Sequence, residues 1–232
     1  MTKRYFLKDI PNVGKTASLE EEEHHHLKHV MRKKIDHKIE LFDGKGLSAI
    51  ATIESIEKNH SRLKILSQKK DPKKAYALTL FQALIKPQSI EELIEKVTEI
   101  GIDRVVFFPS KHSEIQILSK QKHNRLDTIV LNSCKQSYRN TFLEIQVIPS
   151  LKDAMALCQN GVVGSLSQTS TIIPKKDMGI WVGPEGGFTR EEEELLLKKY
   201  TPFKLHQNVL RAKTAAMCLS SHFEYLLAQT FS

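Results

Sequence analysis

Gly183, Gly186 and Gly187 fall within the five residues Gly183-Pro-Glu-Gly-Gly187, directly after the apolar run Gly179 to Val182. Glycine lets a backbone take positive φ or approach a ligand closely, so such a segment can offer bare N–H and C=O groups to a bound molecule. Thr189 follows, with Glu192 three residues later, the spacing of a capping box that opens a helix. Strand, glycine loop and helix start in succession read equally as a ligand-binding loop or as an ordinary tight turn. The spacing is neither GxGxxG nor GxxxxGK followed by Ser or Thr, so the usual dinucleotide and P-loop fingerprints are absent. Glu191 to Glu194 read as a solvated helix start favoured by the helix dipole.

Two further groups of residues are candidates for metal chemistry, and neither fits. His24, His25 and His26 are consecutive, and consecutive positions on a helix point in different directions rather than converging on one ion. Cys134, Cys158 and Cys218 are too widely spaced for a zinc pattern or a disulfide framework, which suits a reducing cytoplasm.

The elements that must position these residues fall into two sets. In the first, Arg4 to Leu7 reads as a strand, and Ser18 with Glu21 as a capping box that opens a helix through His24 to Met31. Strands follow at Lys38 to Phe42, Ala49 to Ile53 and Leu63 to Leu66. The pattern predicts a small β-rich module, barrel-like, with one helix. Gln68 to Lys74 reads as a basic, proline-containing linker. The second set alternates. Strands are expected at Leu78 to Ile85, Val105 to Phe108, Ile145 to Ile148, Val162 to Leu166, Gly179 to Val182 and Phe203 to Leu205. Helices are expected from Ser89 to Gly101, Ser119 to Gln136, Ser150 to near Gly161, Thr189 onward and Thr214 to Gln229. Alternation of this kind implies a mainly parallel sheet covered on both faces. The expected organisation is α/β, with domains at 1–70 and 75–232.

The chain of 232 residues has a net charge of +8. Residues 1–74 carry 17 Lys and Arg against 11 Asp and Glu, whereas residues 75–232 carry 18 against 16. A basic module beside a nearly neutral one suggests a polyanionic partner docked by the first. No apolar run approaches the length that spans a bilayer, and the N-terminus lacks the apolar core of a signal peptide.

Five stretches together resemble one family. Val182-Gly-Pro-Glu-Gly-Gly-Phe188 with its acidic helix is similar to the G-P-E-G-G segment of the bacterial 16S ribosomal RNA uridine-N3 methyltransferases. Leu205-His-Gln-Asn-Val-Leu-Arg-Ala-Lys-Thr-Ala215 resembles their L-G-x-x-x-L-R-x-E-T-A. Glu95 to Gly101 resembles Q-K-x-x-E-L-G, Ser133 to Asn140 resembles A-x-E-Q-x-x-R-x, and His26 to Arg32 resembles H-x-x-x-V-L-R. The five matches run in order along nearly the whole chain.

The resemblance implies a SPOUT-type α/β domain with a trefoil knot, preceded by a PUA-like barrel. It implies S-adenosyl-L-methionine as methyl donor, a homodimer, and as substrate a uridine of the 16S rRNA decoding region, position 1498 in the usual numbering. It places the cofactor against Leu166 and Ser167, against Gly183, Pro184, Glu185, Gly186 and Gly187, and against Leu205, His206, Asn208, Val209 and Leu210. Arg211 is the expected group for orienting the uracil or stabilising its developing anion. The same segment departs from the family pattern. His206 stands where the family has Gly, and Lys213 where it has Glu. His206 is then the candidate to take the N3 proton, since an imidazole accepts protons near neutral pH. Arg4, Lys28, Arg32, Lys33, Lys34 and Arg139 are the expected RNA contacts. Two competing functions are a related enzyme acting on another RNA or on a ribose 2′-hydroxyl, and an RNA-binding homologue with weakened catalysis.

Overall fold

The computed structural model describes residues 4–166 and 170–231, so Ser167 lies outside the described residues. It divides into two compact units. The first comprises Met1–Lys73 together with Leu131–Phe142, and the second Lys74–Val130 with Leu143–Ser232.

In the first unit, β1 (Arg4–Phe6), β2 (Thr16–Glu20), β3 (Lys38–Phe42), β4 (Leu47–Ile56) and β5 (His60–Lys70) form one sheet in the order β1-β3-β4-β5-β2. Only the β1–β3 pair is parallel. Register shifts at Ile50/Ala51 and Ile53/Ser55 increase the local twist of β4 against β5. The sheet curls as a half-barrel, with β1 and β2 as its edges. Inward positions alternate along the strands, and Tyr5, Leu19, Ile39, Leu41, Ile53, Leu63 and Ile65 form the core with Leu27.

Helix α1 (Glu21–His25) continues as a π-helical turn, His26–Val30. Its predicted cap is corrected here: Ser18 lies inside β2, paired with Arg62, and the helix has Glu20 as N-cap without a side-chain cap. Strand pairing has claimed the residues that local spacing assigned to a helix start. The linker also begins later than expected, because Gln68, Lys69 and Lys70 belong to β5. The histidine run diverges as helical geometry requires. His24 is buried with Nδ1 2.8 Å from Ser61 Oγ, while His25 is exposed beside His29.

Leu131–Phe142 is fastened to this unit by Arg4, which is 3% exposed. Its guanidinium donates to the carbonyls of Cys134 (2.9 Å) and Arg139 (3.2 Å) and to Asn140 Oδ1. Nε lies 3.0 Å from Glu40 Oε1, an ion contact without hydrogen-bond alignment. The Phe42 ring covers the guanidinium at 4.6 Å. Gly44 sits under Phe142 with φ +73°, and a Cβ there would meet that ring at 2.3 Å.

The second unit alternates as expected: β6 (Ala77–Ala83), α2 (Pro87–Ile100), β7 (Arg104–Phe108), α3 (Lys120–Ser137), β8 (Glu144–Val147), α4 (Leu151–Ala156), β9 (Gly161–Gly164), β10 (Asp177–Val182), α5 (Arg190–Leu197), β11 (Thr201–Phe203) and α6 (Ala212–Phe231). The last turns of α3 belong to the first unit. The six strands are all parallel, in the order β11-β9-β10-β6-β7-β8. Trp181 of β10 is fully buried between Phe81 (4.1 Å between ring centroids) and Tyr200 (4.8 Å), both stacked on it. Burial pushes the Tyr200 hydroxyl above its ordinary pKa, and the group donates to Cys158 O at 3.0 Å.

The apolar stripe of α6 packs within its own unit. Leu219, Phe223 and Leu227 are buried, and the helix lies against β6, β10 and α2. These side chains are therefore taken up by the core of their own unit.

Replacing Arg4 by Ala leaves Glu40, the buried Cys134 carbonyl and the half-buried Arg139 carbonyl without their partner, a loss of about 3 kcal/mol for a broken buried ion pair. Urea unfolding followed at the first unit should show that decrease. An unchanged midpoint would mean that Arg4 does not fasten Leu131–Phe142.

Candidate functional site

Because the sheet is parallel and β11, β9 and β10 are neighbours, the C-terminal ends of all three strands fall on one edge. Ligands of open α/β sheets sit at such edges. Here the strand ends and the loop into α6 border an open crevice lined by Gly164, Ser165, Leu166, Val182, Phe203, Leu205, His206, Asn208, Leu210, Ala215 and Leu219. Its wall is mostly apolar and backbone. Ser165 N–H donates to Phe203 O (3.0 Å), which closes the β9 end onto the β11 end. Gly164 keeps the floor open, since a Cβ there would stand 3.1 Å from Leu219 Cδ1. Phe203 stacks on His222 at 5.3 Å.

Five residues expected at a cofactor are brought together in this lining: Leu166, Leu205, His206, Asn208 and Leu210. Leu166 is 65% exposed and His206 and Asn208 are exposed, so the crevice opens to solvent on that side. Val209 is 77% exposed and turns away from the lining. Gly183 to Gly187 border the crevice through Val182 without lining it. Arg211 is exposed immediately before α6, and its carbonyl accepts the Ala215 N–H at 2.8 Å.

The glycine loop is held from three sides. Gly187 takes φ +71° and closes a turn by donating to Pro184 O (2.9 Å). The Glu185 carboxylate accepts the Lys86 N–H at 3.1 Å. His112 Nδ1 lies 3.2 and 3.1 Å from the carbonyls of Gly186 and Gly187. Both partners only accept, so Nδ1 carries the proton. Gln82, wholly buried in β6, donates from Nε2 to Val182 O (3.3 Å) and Gly183 O (3.1 Å).

The predicted capping box is present at α5. Thr189 Oγ1 accepts from Glu192 N, and Glu192 returns to Thr189 N at 2.9 Å. The same carboxylate accepts from the Ser110 hydroxyl (2.9 Å) and Lys111 N–H (3.0 Å), which ties the helix start to the end of β7. Glu191 is held below the ordinary carboxylate range by its own backbone N–H and by Thr189.

Position 213 is occupied differently from the family pattern. Lys213 pairs with Glu92 of α2, so a carboxylate remains beside the start of α6, supplied by another helix.

Of the expected RNA contacts, Arg4 is removed by burial, as its partners above require. Arg32 and Lys34 are exposed and Lys33 is half-buried. The Lys28 ammonium donates to Glu57 O (2.7 Å) and Arg139 Nε to Thr141 O (2.5 Å). Asn140 joins Arg4 to Asp71. Gly164, Val182, Phe203, Ala215 and Leu219 were not singled out from sequence. The apolar ones are indistinguishable from core, whereas Gln82 left a signal, a lone amide inside the apolar strand Leu78 to Ile85.

The RNA methyltransferase domain model matches residues 72–224, and the RNA methyltransferase PUA domain model matches residues 19–66. The chain belongs to this RNA methyltransferase family. It is 30% identical over 204 residues to ribosomal RNA small subunit methyltransferase E of Rickettsia conorii, covering 83% of this chain and 82% of that one. With the Bacillus subtilis protein of the same name it shares 25% over 248 residues, 96% of each chain. The crystal structure of the Neisseria gonorrhoeae methyltransferase E bound to S-adenosyl methionine superposes with a TM-score of 0.88 at 26% identity, over 97% of this chain and 98% of that one.

Proposed function

We propose that this protein methylates ring N3 of a uridine in 16S ribosomal RNA, using S-adenosylmethionine, within the small ribosomal subunit. The observation that carries the reading is the crevice at the ends of β9, β10 and β11, where five residues named by the family resemblance meet. The relatives named as small-subunit rRNA methyltransferases, and the S-adenosyl methionine held by the Neisseria protein, support it. Target position 1498 and the trefoil knot belong to the same resemblance.

The residues fit this cofactor. Leu166, Val182, Leu205, Leu210 and Leu219 offer an apolar slot for an adenine, and the bare backbone at Gly164 lets the ligand lie close to the sheet. When bound, S-adenosylmethionine supplies a methyl group on a positively charged sulfur. His206, on the crevice wall, accepts the proton from uridine N3 and so frees the N3 lone pair to attack the methyl carbon, with the methyl–sulfur bond breaking and the donor leaving as the neutral thioether. Arg211, exposed at the start of α6, orients the uracil and balances the negative charge that builds on its carbonyl oxygens. Holding N3 in line with the methyl carbon is mainly positioning, and the target base must be unstacked to reach it. The first unit contributes affinity: Arg32, Lys33 and Lys34 contact phosphates.

A homodimer is part of this reading. Leu166, Ile173, Val209 and Tyr225 are large apolar side chains more than 60% exposed in the second unit. We assign them to the face that a second copy covers.

Four outcomes test these assignments. Small subunits lacking the modification, incubated with the enzyme and S-adenosylmethionine and then digested for mass spectrometry, should gain one N3-methyluridine. Methylation of another RNA, or at a ribose 2′-hydroxyl, would overturn the target. In single-turnover assays Arg211→Ala should lower the rate by roughly tenfold or more with cofactor affinity retained, as for a contact made in the transition state. A normal rate would leave Arg211 a structural role only.

Replacing Arg32, Lys33 and Lys34 by Ala should weaken RNA binding and reduce the slope of log affinity against log salt by about 2, at roughly 0.7–0.9 for each lost phosphate contact. An unchanged slope would place the RNA anchor elsewhere.

Sedimentation should give twice the 26.5 kDa chain mass, and the double variant Val209→Arg, Tyr225→Arg should give the single mass. A wild-type monomer at micromolar concentration would overturn the dimer.

A further inference from the structure

Among the described residues, Gln82 is the buried side chain that grips the near end of the glycine loop. It lies in the middle of the sheet, opposite Val182 on one side and Phe107 on the other. Its Nε2 donates to three carbonyls, those of Ala83 (2.9 Å), Gly183 (3.1 Å) and Val182 (3.3 Å). All three only accept, so the amide orientation is set: nitrogen toward the loop, oxygen away from it. The consequence is that Oε1 is buried with no donor. A strand interior does not need this residue. An apolar side chain of the same length would fill the space and leave no orphaned oxygen, but it would leave the three carbonyls without their amide donor. An unsatisfied buried acceptor that persists marks a position kept for something other than stability.

The geometry points to what that is. A trans peptide is planar, with its C=O and N–H on opposite sides. Drawing the Val182 carbonyl toward Gln82 turns the Gly183 N–H away from Gln82, and that N–H has no acceptor among the described residues. Gly183 itself cannot relax by carrying a side chain, since a Cβ would stand 3.1 Å from Phe188 N. Val182 lines the crevice, so this peptide stands at its edge. His112 and Glu185 fasten the far end of the loop, and neither touches the Val182–Gly183 peptide.

We propose that Gln82 is a positioning residue for the methyl-donor site: its amide fixes the Val182–Gly183 peptide so that the Gly183 N–H is presented to the bound S-adenosylmethionine. The proposal rests on the reading of the crevice as that cofactor's site.

The test is calorimetric titration of S-adenosylmethionine into the full-length wild type, Gln82→Leu and Gln82→Met, beside thermal melting and amide hydrogen exchange. Both variants should still melt cooperatively, within about 8 °C of the wild type, as for the loss of one amide's hydrogen bonds, yet bind S-adenosylmethionine at least tenfold more weakly. In turnover assays they should raise KM for the cofactor more than they lower kcat. With saturating S-adenosylmethionine, the Gly183 amide should become protected in the wild type and exchange at least tenfold faster in the variants, while the β6 amides stay protected in all three. Wild-type protein that failed to bind S-adenosylmethionine would overturn the reading of the crevice itself. Normal binding by the wild type and by both variants would overturn only the role of Gln82. Variants melting far below the wild type would mark Gln82 as a residue of the fold, and would equally overturn the proposal.

Discussion

Strand β10 is hydrogen-bonded to parallel partners on both sides, and the rest of the second unit depends on that placement. Its register against β9 and β6 decides where Val182 ends, and therefore where the glycine loop leaves the sheet. Trp181 locks the register from the face, because a slip of one residue would carry the indole from between Phe81 and Tyr200 to the opposite side. The crevice is thus a product of sheet pairing first and of loop chemistry second. Rigid strands hold its floor, and Ser165, Leu166 and the segment from Leu205 to Leu210 are free of regular structure.

The loop at the end of β10 is shaped almost wholly from outside itself. Backbone carbonyls of Gly183, Gly186 and Gly187 meet Gln82 of β6 and His112 of the segment after β7, and the Glu185 carboxylate meets the Lys86 N–H at the start of α2. Glycine supplies the freedom, and distant residues remove it again in one chosen direction. This division explains why three glycines in five residues carry so little specificity when read alone.

What could be read from the sequence follows the range of the interactions concerned. The Thr189–Glu192 box spans three residues and needs nothing from elsewhere, so spacing alone identified it. Strand-and-helix alternation from Ala77 onward is likewise local and came out nearly element for element. The Ser18 box used the same rule and failed, because β5 pairs with β2 and overrides the local preference. Arg4 looked like a surface cation for a related reason. Its partners Cys134, Arg139 and Asn140 are more than a hundred residues away, and nothing near Arg4 announces them. Leu205, His206, Asn208 and Leu210 were found through family resemblance, whereas Phe203 and Gly164 became visible only when β9 and β11 were seen side by side.

The assignment of Leu131–Phe142 to the first unit has a consequence for how the polypeptide is made. The chain crosses between the two units at Lys73, at Val130 and again at Phe142. The N-terminal unit therefore cannot be completed as it leaves the ribosome, because the segment that takes up Arg4, Phe42 and Gly44 is synthesised well after the half-barrel. Until then the Arg4 guanidinium lacks its carbonyl acceptors. The two units mature together, and the first is not a cassette that genetic exchange can move by cutting at the linker.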